Sequence, residues 1–340
     1  MEPFHVQLKI LEKAEFEDIL GQASVKKQLK SALLAGHHVL IMGAPGVGKT
    51  TLAKNVARIL PDIEVNDCPW HCDPESPQCP HCTGKKVKRK KITGEERFVR
   101  VQGSPDLTAE DLLGDIDPIK ALQFGPLSVE AFAPGKIFKA NNGVLFFDEI
   151  NRAPEKLQNA LLQILEEGKA TLGSYDVDFR SDLLLIATMN PADVNTEKLS
   201  DVLLDRFDVV HMGYPETDGI EQQIIREKGQ TIVSFPDRLL HFVVKFVRQL
   251  RADDDLEKVL GVRACLALYE RAQTTALLER RSYVSFDDVK QNIVSVLAHR
   301  IELKPSLRYV KEKEPFIEEK FNSFYQKNKK DLVSEGGDGL

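Results

Sequence analysis

The sequence predicts an α/β fold, a parallel sheet wrapped by helices, followed by a smaller all-helical domain. Three observations carry this. Short apolar runs at 38–42, 143–147 and 183–188 suit strands buried on both faces. Strand and helix signals alternate as far as about residue 211, the pattern of a parallel sheet with crossover helices. From about Thr217 the strand signals stop, and residues 220–227, 236–251, 263–279 and 285–299 read as helices.

Taken in order, residues 1–37 hold an entry segment and one helix, capped at Ser24. The strand at 38–42 runs into Gly43-Ala44-Pro45-Gly46-Val47-Gly48-Lys49-Thr50, a complete G-x-x-x-x-G-K-[ST] phosphate loop. Its glycines let backbone amides approach phosphate oxygens closely. Thr50 and Thr51 open a helix that runs to Ile59 and turns its positive end to the anion. Lys49 reaches the β/γ-phosphates and the Thr50 hydroxyl is a Mg²⁺ ligand. A strand before and a helix after separate this loop from an ordinary glycine turn.

Residues 62–96 break the alternation with cysteine, proline and lysine and almost no periodicity, so they read as an inserted module. The fold resumes with a strand at 98–102 and a short helix at 108–113, then an irregular segment to Gly135. Next, Gly143-Val144-Leu145-Phe146-Phe147-Asp148-Glu149 is an apolar strand ending in two carboxylates. Asp148 would hold Mg²⁺ through its water shell, and Glu149, one residue further, would orient the attacking water. An amphipathic helix at 154–167 buries Leu157, Leu161, Leu162 and Leu165. A hairpin follows, 169–172 with 175–179, then strands at 183–188 and 209–211. Ser285-Phe286-Asp287-Asp288 opens the last lid helix as a capping box. The expected organisation is an α/β domain at 1–216 with its insert at 62–96, a helical lid at 217–303, and a charged extension at 304–340 with a disordered end.

The bulk numbers set limits. With 42% hydrophobic residues over 340, the chain can bury a sizeable core. A net charge of −6 argues against a general polyanion binder. No apolar stretch approaches the roughly 18 residues of a membrane span. Residues 1–5 lack a basic region followed by an apolar core, so a cytoplasmic location is expected.

That location bears on Cys68, Cys72, Cys79 and Cys82, spaced C-x₃-C-x₆-C-x₂-C. Reduced cysteines at this spacing suit a closed structural Zn²⁺ site. Two disulfides, or His71 or His81 in place of one cysteine, are the alternatives. Cys265, among apolar neighbours, reads as a core residue. The run Lys85-Lys86-Val87-Lys88-Arg89-Lys90-Lys91 is a local anion-binding face. A solvated face or a dock for an acidic partner is favoured over nucleic acid, since no reader of base edges stands beside it.

A sheet domain, a helical lid and phosphate-loop motifs at this spacing resemble AAA+ ATPases. Asp148-Glu149-Ile150-Asn151-Arg152-Ala153 is similar to the DEINRA signature of the MoxR type. So are the runs at 101–108, 133–135 and 187–191. Residues 115–135 sit where that clade carries its helix-2 insert, and the hairpin at 169–179 where it carries its pre-sensor hairpin. The clade also holds the ATPase I subunit of magnesium chelatase and the MCM helicases. The resemblance covers about residues 16–300 and implies ATP as the nucleotide. It gives Asn190 the role of sensor 1, Arg206 that of an arginine finger acting on a neighbouring subunit, and Arg263 that of sensor 2. It implies a homo-oligomeric ring, commonly of six subunits, and a von Willebrand A-domain protein as partner. The MoxR pattern has no cysteine module, and Arg152 receives no role from it. DNA motors of the clade place a basic residue at the hairpin tip, and 172–176 here is neutral to acidic. A protein-remodelling ATPase is therefore the first reading, a chelatase motor subunit the second and a nucleic-acid motor the third.

Overall fold

The computed structural model describes residues 3–77, 79, 81–126, 128–171, 178–193 and 199–333. The expected hairpin tip at 172–176, Pro80 within the second cysteine pair and the terminal 334–339 lie outside the described residues. Contacts divide the chain into two units. One holds Met1–Ala44 and Gly48–Met212, the other Pro45–Val47 and Gly213–Leu340.

The first unit is built on five parallel strands. Their order is Phe207–His211, His38–Met42, Leu183–Met189, Gly143–Asp148, Phe98–Gln102. Val39–Ile41, 144–147 and 185–187 are almost wholly buried, as strands covered on both faces must be. Met42 pairs with Met189, and Gln102 with Asp148. Because the strands are parallel and these ends are in register, the phosphate loop, the acidic pair and Asn190 leave the sheet along one carboxyl edge. Open α/β sheets bind ligands at that edge.

Three expectations change. The entry segment holds a short helix at Phe4–Gln7, and the expected helix is Ala23–Leu34, entered through a left-handed Gly21 and Gln22 with no side-chain cap. Ser24 is already inside its first turn, where it meets Gln28 Nε2 at 3.3 Å. The ends of the 62–96 module are ordered: Ile63–Asn66 pairs antiparallel with Arg89–Ile92. Ile63, Val65 and Ile92 share one buried face, and four-residue strands are too short to stand out as periodicity. The segment to Gly135 is also regular. Gly114–Ile116 pairs with Phe132–Pro134, and between them the helix Pro118–Phe124 is capped by Asp117 Oδ1, which accepts from the amides of Ile119 and Lys120.

The second unit is helical: Asp218–Lys228, Asp237–Arg251, Val262–Leu278, Phe286–Leu297 and Lys313–Val333. Ser285 and Asp288 form the expected capping box. The expected break at 303/304 is not a break in the core. Phe316, Ile317, Phe321 and Phe324 of the last helix are buried, with Phe321 and Phe324 against the rings of Phe242 and Phe246. An apolar stripe inside a highly charged helix had read as an extension. Cys265 is fully buried, as expected. No helix among the described residues is long and apolar enough to cross a membrane.

Candidate active site

The loop after Met42 turns through Gly46 and Gly48, both left-handed at φ 80° and 107°. Residues with a Cβ are strained there. The helix Lys49–Ile59 starts directly after Gly48, one residue earlier than expected. Its first side chain folds back over the loop: Lys49 Nζ donates to the carbonyls of Gly43 at 2.6 Å and Ala44 at 2.9 Å. The ammonium is thus held over its own loop. Pro45–Val47 groups with the second unit. Within that unit, a Cβ on Gly46 would lie 3.2 Å from Arg263 Cγ, so a larger residue there would crowd the arginine. Arg263 is the second residue of Val262–Leu278.

The acidic pair is clamped from the neighbouring strand. The buried Thr188 hydroxyl donates to Asp148 Oδ1 at 2.7 Å and accepts the Glu149 amide at 3.0 Å. Asp148 Oδ2 is paired with Arg100 at 2.6 Å. Glu149 sits in the left-handed region at φ 55°, a conformation that non-glycine residues adopt at an energetic cost and that concentrates at functional sites. Gly103 explains itself here: its amide donates to Asp148 O at 2.7 Å, and a Cβ would come within 2.0 Å of Glu149 O. Gln102 Nε2 donates to Glu149 Oε2 at 3.1 Å, and Arg152 Nη1 lies 3.3 Å from the same oxygen.

Asn190 follows the strand Leu183–Met189, and its Oδ1 accepts the Ala192 amide at 3.3 Å. Arg206 is held by Glu166 through Nε at 2.8 Å and through Nη2, and by Asp205 at 3.2 Å. Asp208, two residues on, is paired with His37 at 2.9 Å. Sequence reading missed Gln102, Arg100 and Thr188. Their signal was faint: a polar residue at a strand end, or inside a buried strand, one strand away from the carboxylates.

The four module cysteines converge. All are buried, and their sulfurs lie within 4.8 Å of one another. A tetrahedral Zn²⁺ with bonds near 2.3 Å asks for sulfurs about 3.8 Å apart, so the set fits a metal with small adjustment. The converging ligand atoms are all sulfur, and no histidine nitrogen joins them among the described residues. Hydrogen bonds from Cys72 and Cys79 hold the Cys68 thiol far below its usual range, while burial pushes Cys82 up to about 11. The module is not an isolated loop. Buried Trp70 meets the rings of Phe132, Phe138 and His81 at 5.9–6.0 Å, and Asn141 Nδ2 donates to Trp70 O at 3.1 Å. Three of the six basic residues of the run are paired across its own ribbon: Arg89 with Glu64 at 3.1 Å, Lys90 with Asp67 at 3.5 Å and Lys91 with Asp62 at 2.9 Å.

Comparison with known proteins agrees with this geometry. Residues 82–209 match the ATPase family associated with various cellular activities (AAA), 251–319 the AAA lid domain, and 15–78 the ChlI subunit of magnesium chelatase. The lid match runs past 303, as the shared core does. A magnesium-chelatase subunit ChlI homolog of Methanocaldococcus jannaschii is 30% identical, over 93% of each chain. The uncharacterised protein YeaC of Bacillus subtilis is 28% identical, over 86% of this chain and 85% of its own. The RuvB branch-migration motor of Thermotoga maritima shares the fold with a TM-score of 0.50 at 19% identity, over 97% of this chain and 83% of its own. With the phosphate loop, acidic pair and sensor strand on one sheet edge, these relationships establish that the chain is an ATP-hydrolysing member of the AAA family, of the MoxR type and related to the magnesium chelatase ChlI subunits.

Proposed function

We propose that this chain is the subunit of an ATP-driven homo-oligomeric ring, of six copies, that remodels or activates a partner protein or complex in the cytoplasm. One observation carries the reading. The binding and water-orienting groups share one edge of the sheet, while Arg206 is held by Glu166 and Asp205 and by none of those groups. An arginine that acts on a neighbour's nucleotide makes assembly a condition of turnover.

In this reading, Lys49 and the amides of the loop 43–50 bind the β/γ-phosphates. Thr50 and Asp148 would hold Mg²⁺, which neutralises charge on the phosphoryl oxygens. Glu149 orients the water that attacks the γ-phosphorus as the bond to ADP breaks. Asn190 steadies the γ-phosphate or that water, a neighbouring copy's Arg206 stabilises the transition state, and Arg263 reports the γ-phosphate to the helical unit. Cys68, Cys72, Cys79 and Cys82 hold a structural Zn²⁺. A von Willebrand A-domain protein is the proposed partner. A chelatase motor subunit is the second reading, supported by the ChlI relatives along most of the chain. A nucleic-acid motor stays the third reading, and it is disfavoured by the pairing of Arg89, Lys90 and Lys91 with carboxylates of the opposing segment.

The test is a mixing experiment. Arg206→Ala and Glu149→Gln proteins are each expected to turn over at a hundredth of the normal rate or less, about the range a finger or a base supplies. Mixed rings should recover turnover, because some sites pair an intact carboxylate with an intact finger. A dead mixture, in rings shown by mass to contain both variants, overturns the action in trans. Stimulation by a porphyrin-binding chelatase subunit, and not by a von Willebrand A-domain protein, moves the assignment to the second reading.

A further inference from the structure

Arg152 closes the short turn Ile150–Arg152 that follows the acidic pair, and its guanidinium is shared between two carboxylates. Nη2 and Nε lie 2.7 and 3.2 Å from Asp193 Oδ2, whereas Nη1 lies 3.3 Å from Glu149 Oε2. The same Glu149 oxygen accepts from Gln102 at 3.1 Å, so both restraints on this carboxylate fall on one atom. Asp193 belongs to the turn that begins at the sensor residue. Its amide donates to Asn190 O at 3.2 Å, and the Ala192 amide donates to Asn190 Oδ1 at 3.3 Å. Residues 190–193 are therefore bonded as one small unit, and a shift at Asn190 is passed directly to Asp193.

We propose that Arg152 is a positioning residue for hydrolysis, tying the sensor turn 190–193 to the water-orienting carboxylate of Glu149. The inference rests on the reading of Glu149 as that group. Charge-assisted bonds strengthen as they shorten, so the contact with Asp193 dominates and keeps the guanidinium loosely placed on Glu149. When a phosphate engages Asn190, the turn carries Asp193 with it, and the reach of Arg152 toward Glu149 changes. The sensor thereby sets where the carboxylate stands as well as touching the nucleotide. If Asp193 loses its charge, Arg152 closes on Glu149 and draws the carboxylate off the line of attack. A misplacement of about 1 Å can cost on the order of a hundredfold in rate.

Three variants test this: Asp193→Asn, Arg152→Gln and the double substitution. Asp193→Asn should lower kcat about tenfold or more, with ATP affinity within twofold of the parent, since neither residue belongs to the phosphate loop. Arg152→Gln should cost less, about threefold, because Gln102 still holds Glu149. The double variant should match Arg152→Gln, so that removing the arginine rescues the slower single variant. A residue with a merely structural role gives no such rescue. The side chains of Arg152 and Asp193 are 43% and 16% exposed, so folding is expected to survive, and a thermal melt checks it. Asp193→Asn within twofold of the parent kcat, or a double variant as slow as Asp193→Asn, overturns the proposal. Glu149→Gln separates the two levels. Normal turnover there overturns the parent reading and this one with it, whereas a dead Glu149→Gln without rescue overturns this one alone.

Discussion

The sheet edge and the cysteine module are both built from motifs that are each local in sequence, but these are held in different ways. At the edge, main-chain geometry does the positioning. The phosphate loop and the acidic pair each follow a buried strand, and parallel register brings the strand ends level. In the module, side chains from distant segments do it. Trp70 is enclosed by Phe132 and Phe138, some sixty residues on, and Asn141 and Asn142 hold the carbonyls of Trp70 and His71. A site fixed by its own backbone tolerates losses elsewhere. A site fixed by borrowed packing transmits its losses to the lender.

Removing the metal tests this with the largest effect. Structural Zn²⁺ contributes on the order of 10 kcal/mol to a small site, so Cys79→Ser with Cys82→Ser should release it and unfold the module. Read from sequence alone, the damage stops inside 62–96. The packing of Trp70 on Phe132 predicts that it spreads to 114–135, where Phe132–Pro134 pairs with Gly114–Ile116. Limited proteolysis with mass mapping decides: cuts confined to 62–96 would show that the module carries its own order. ATP binding should persist, because Lys49 is held by carbonyls of its own loop.

The same contrast explains what could be read in advance. Gly43 to Thr51 and the Asp148-Glu149 pair are chemistry at fixed spacing on one backbone segment, so both were legible. The cysteine spacing was legible for the same reason, and the four thiols do converge. Arg100, Gln102 and Thr188 were not, because each acts across strands and its partner follows from register. The salt bridges that neutralise Arg89, Lys90 and Lys91 were hidden likewise: a charge run announces its sign, and the opposing strand 25 or so residues earlier decides what it is worth. The last helix was misread as an extension because its charged majority masked Phe316, Ile317, Phe321 and Phe324.

Trp70→Ala is the next step down in size. Truncating a buried tryptophan costs about 3–5 kcal/mol. The four thiols remain, so the metal should stay bound. The loss should appear in the stability of the α/β unit, since Trp70 shares one core with Leu145, Phe147 and Leu185 of the sheet. A denaturant midpoint followed by a probe in the sheet should fall while zinc content holds near one per chain. An unchanged midpoint would make Trp70 a surface cover and the module independent after all.

Acid offers the finest comparison, because both regions respond to it for different reasons. His38 begins the strand that ends at the phosphate loop, and its Nδ1 accepts the Leu185 amide at 3.1 Å. Burial, helped by the charge of His37, pulls its pKa from 6.5 down to about 4. The folded chain therefore keeps the ring neutral down to about pH 4, while the unfolded chain takes up a proton below about 6.5. Between those values the unfolded state binds more protons, so stability rises with pH and is lost on acidification, by up to about 1.4 kcal/mol for each unit the pH drops. Above pH 6.5 the contribution is complete. A metal held by the four cysteines would be lost in acid too, because thiolates that take protons cease to be ligands. The two are separated by measuring urea midpoints at pH 7, 6 and 5 in the protein lacking Cys79 and Cys82, with and without His38→Asn. Asparagine can still accept the Leu185 amide but takes no proton in this range. A slope that persists with His38 and flattens with His38→Asn assigns the acid sensitivity of the sheet to this one ring. A slope that vanishes once the cysteines are gone assigns it to the module, and would mean that the sheet leans on its insert more heavily than the insert leans on the sheet.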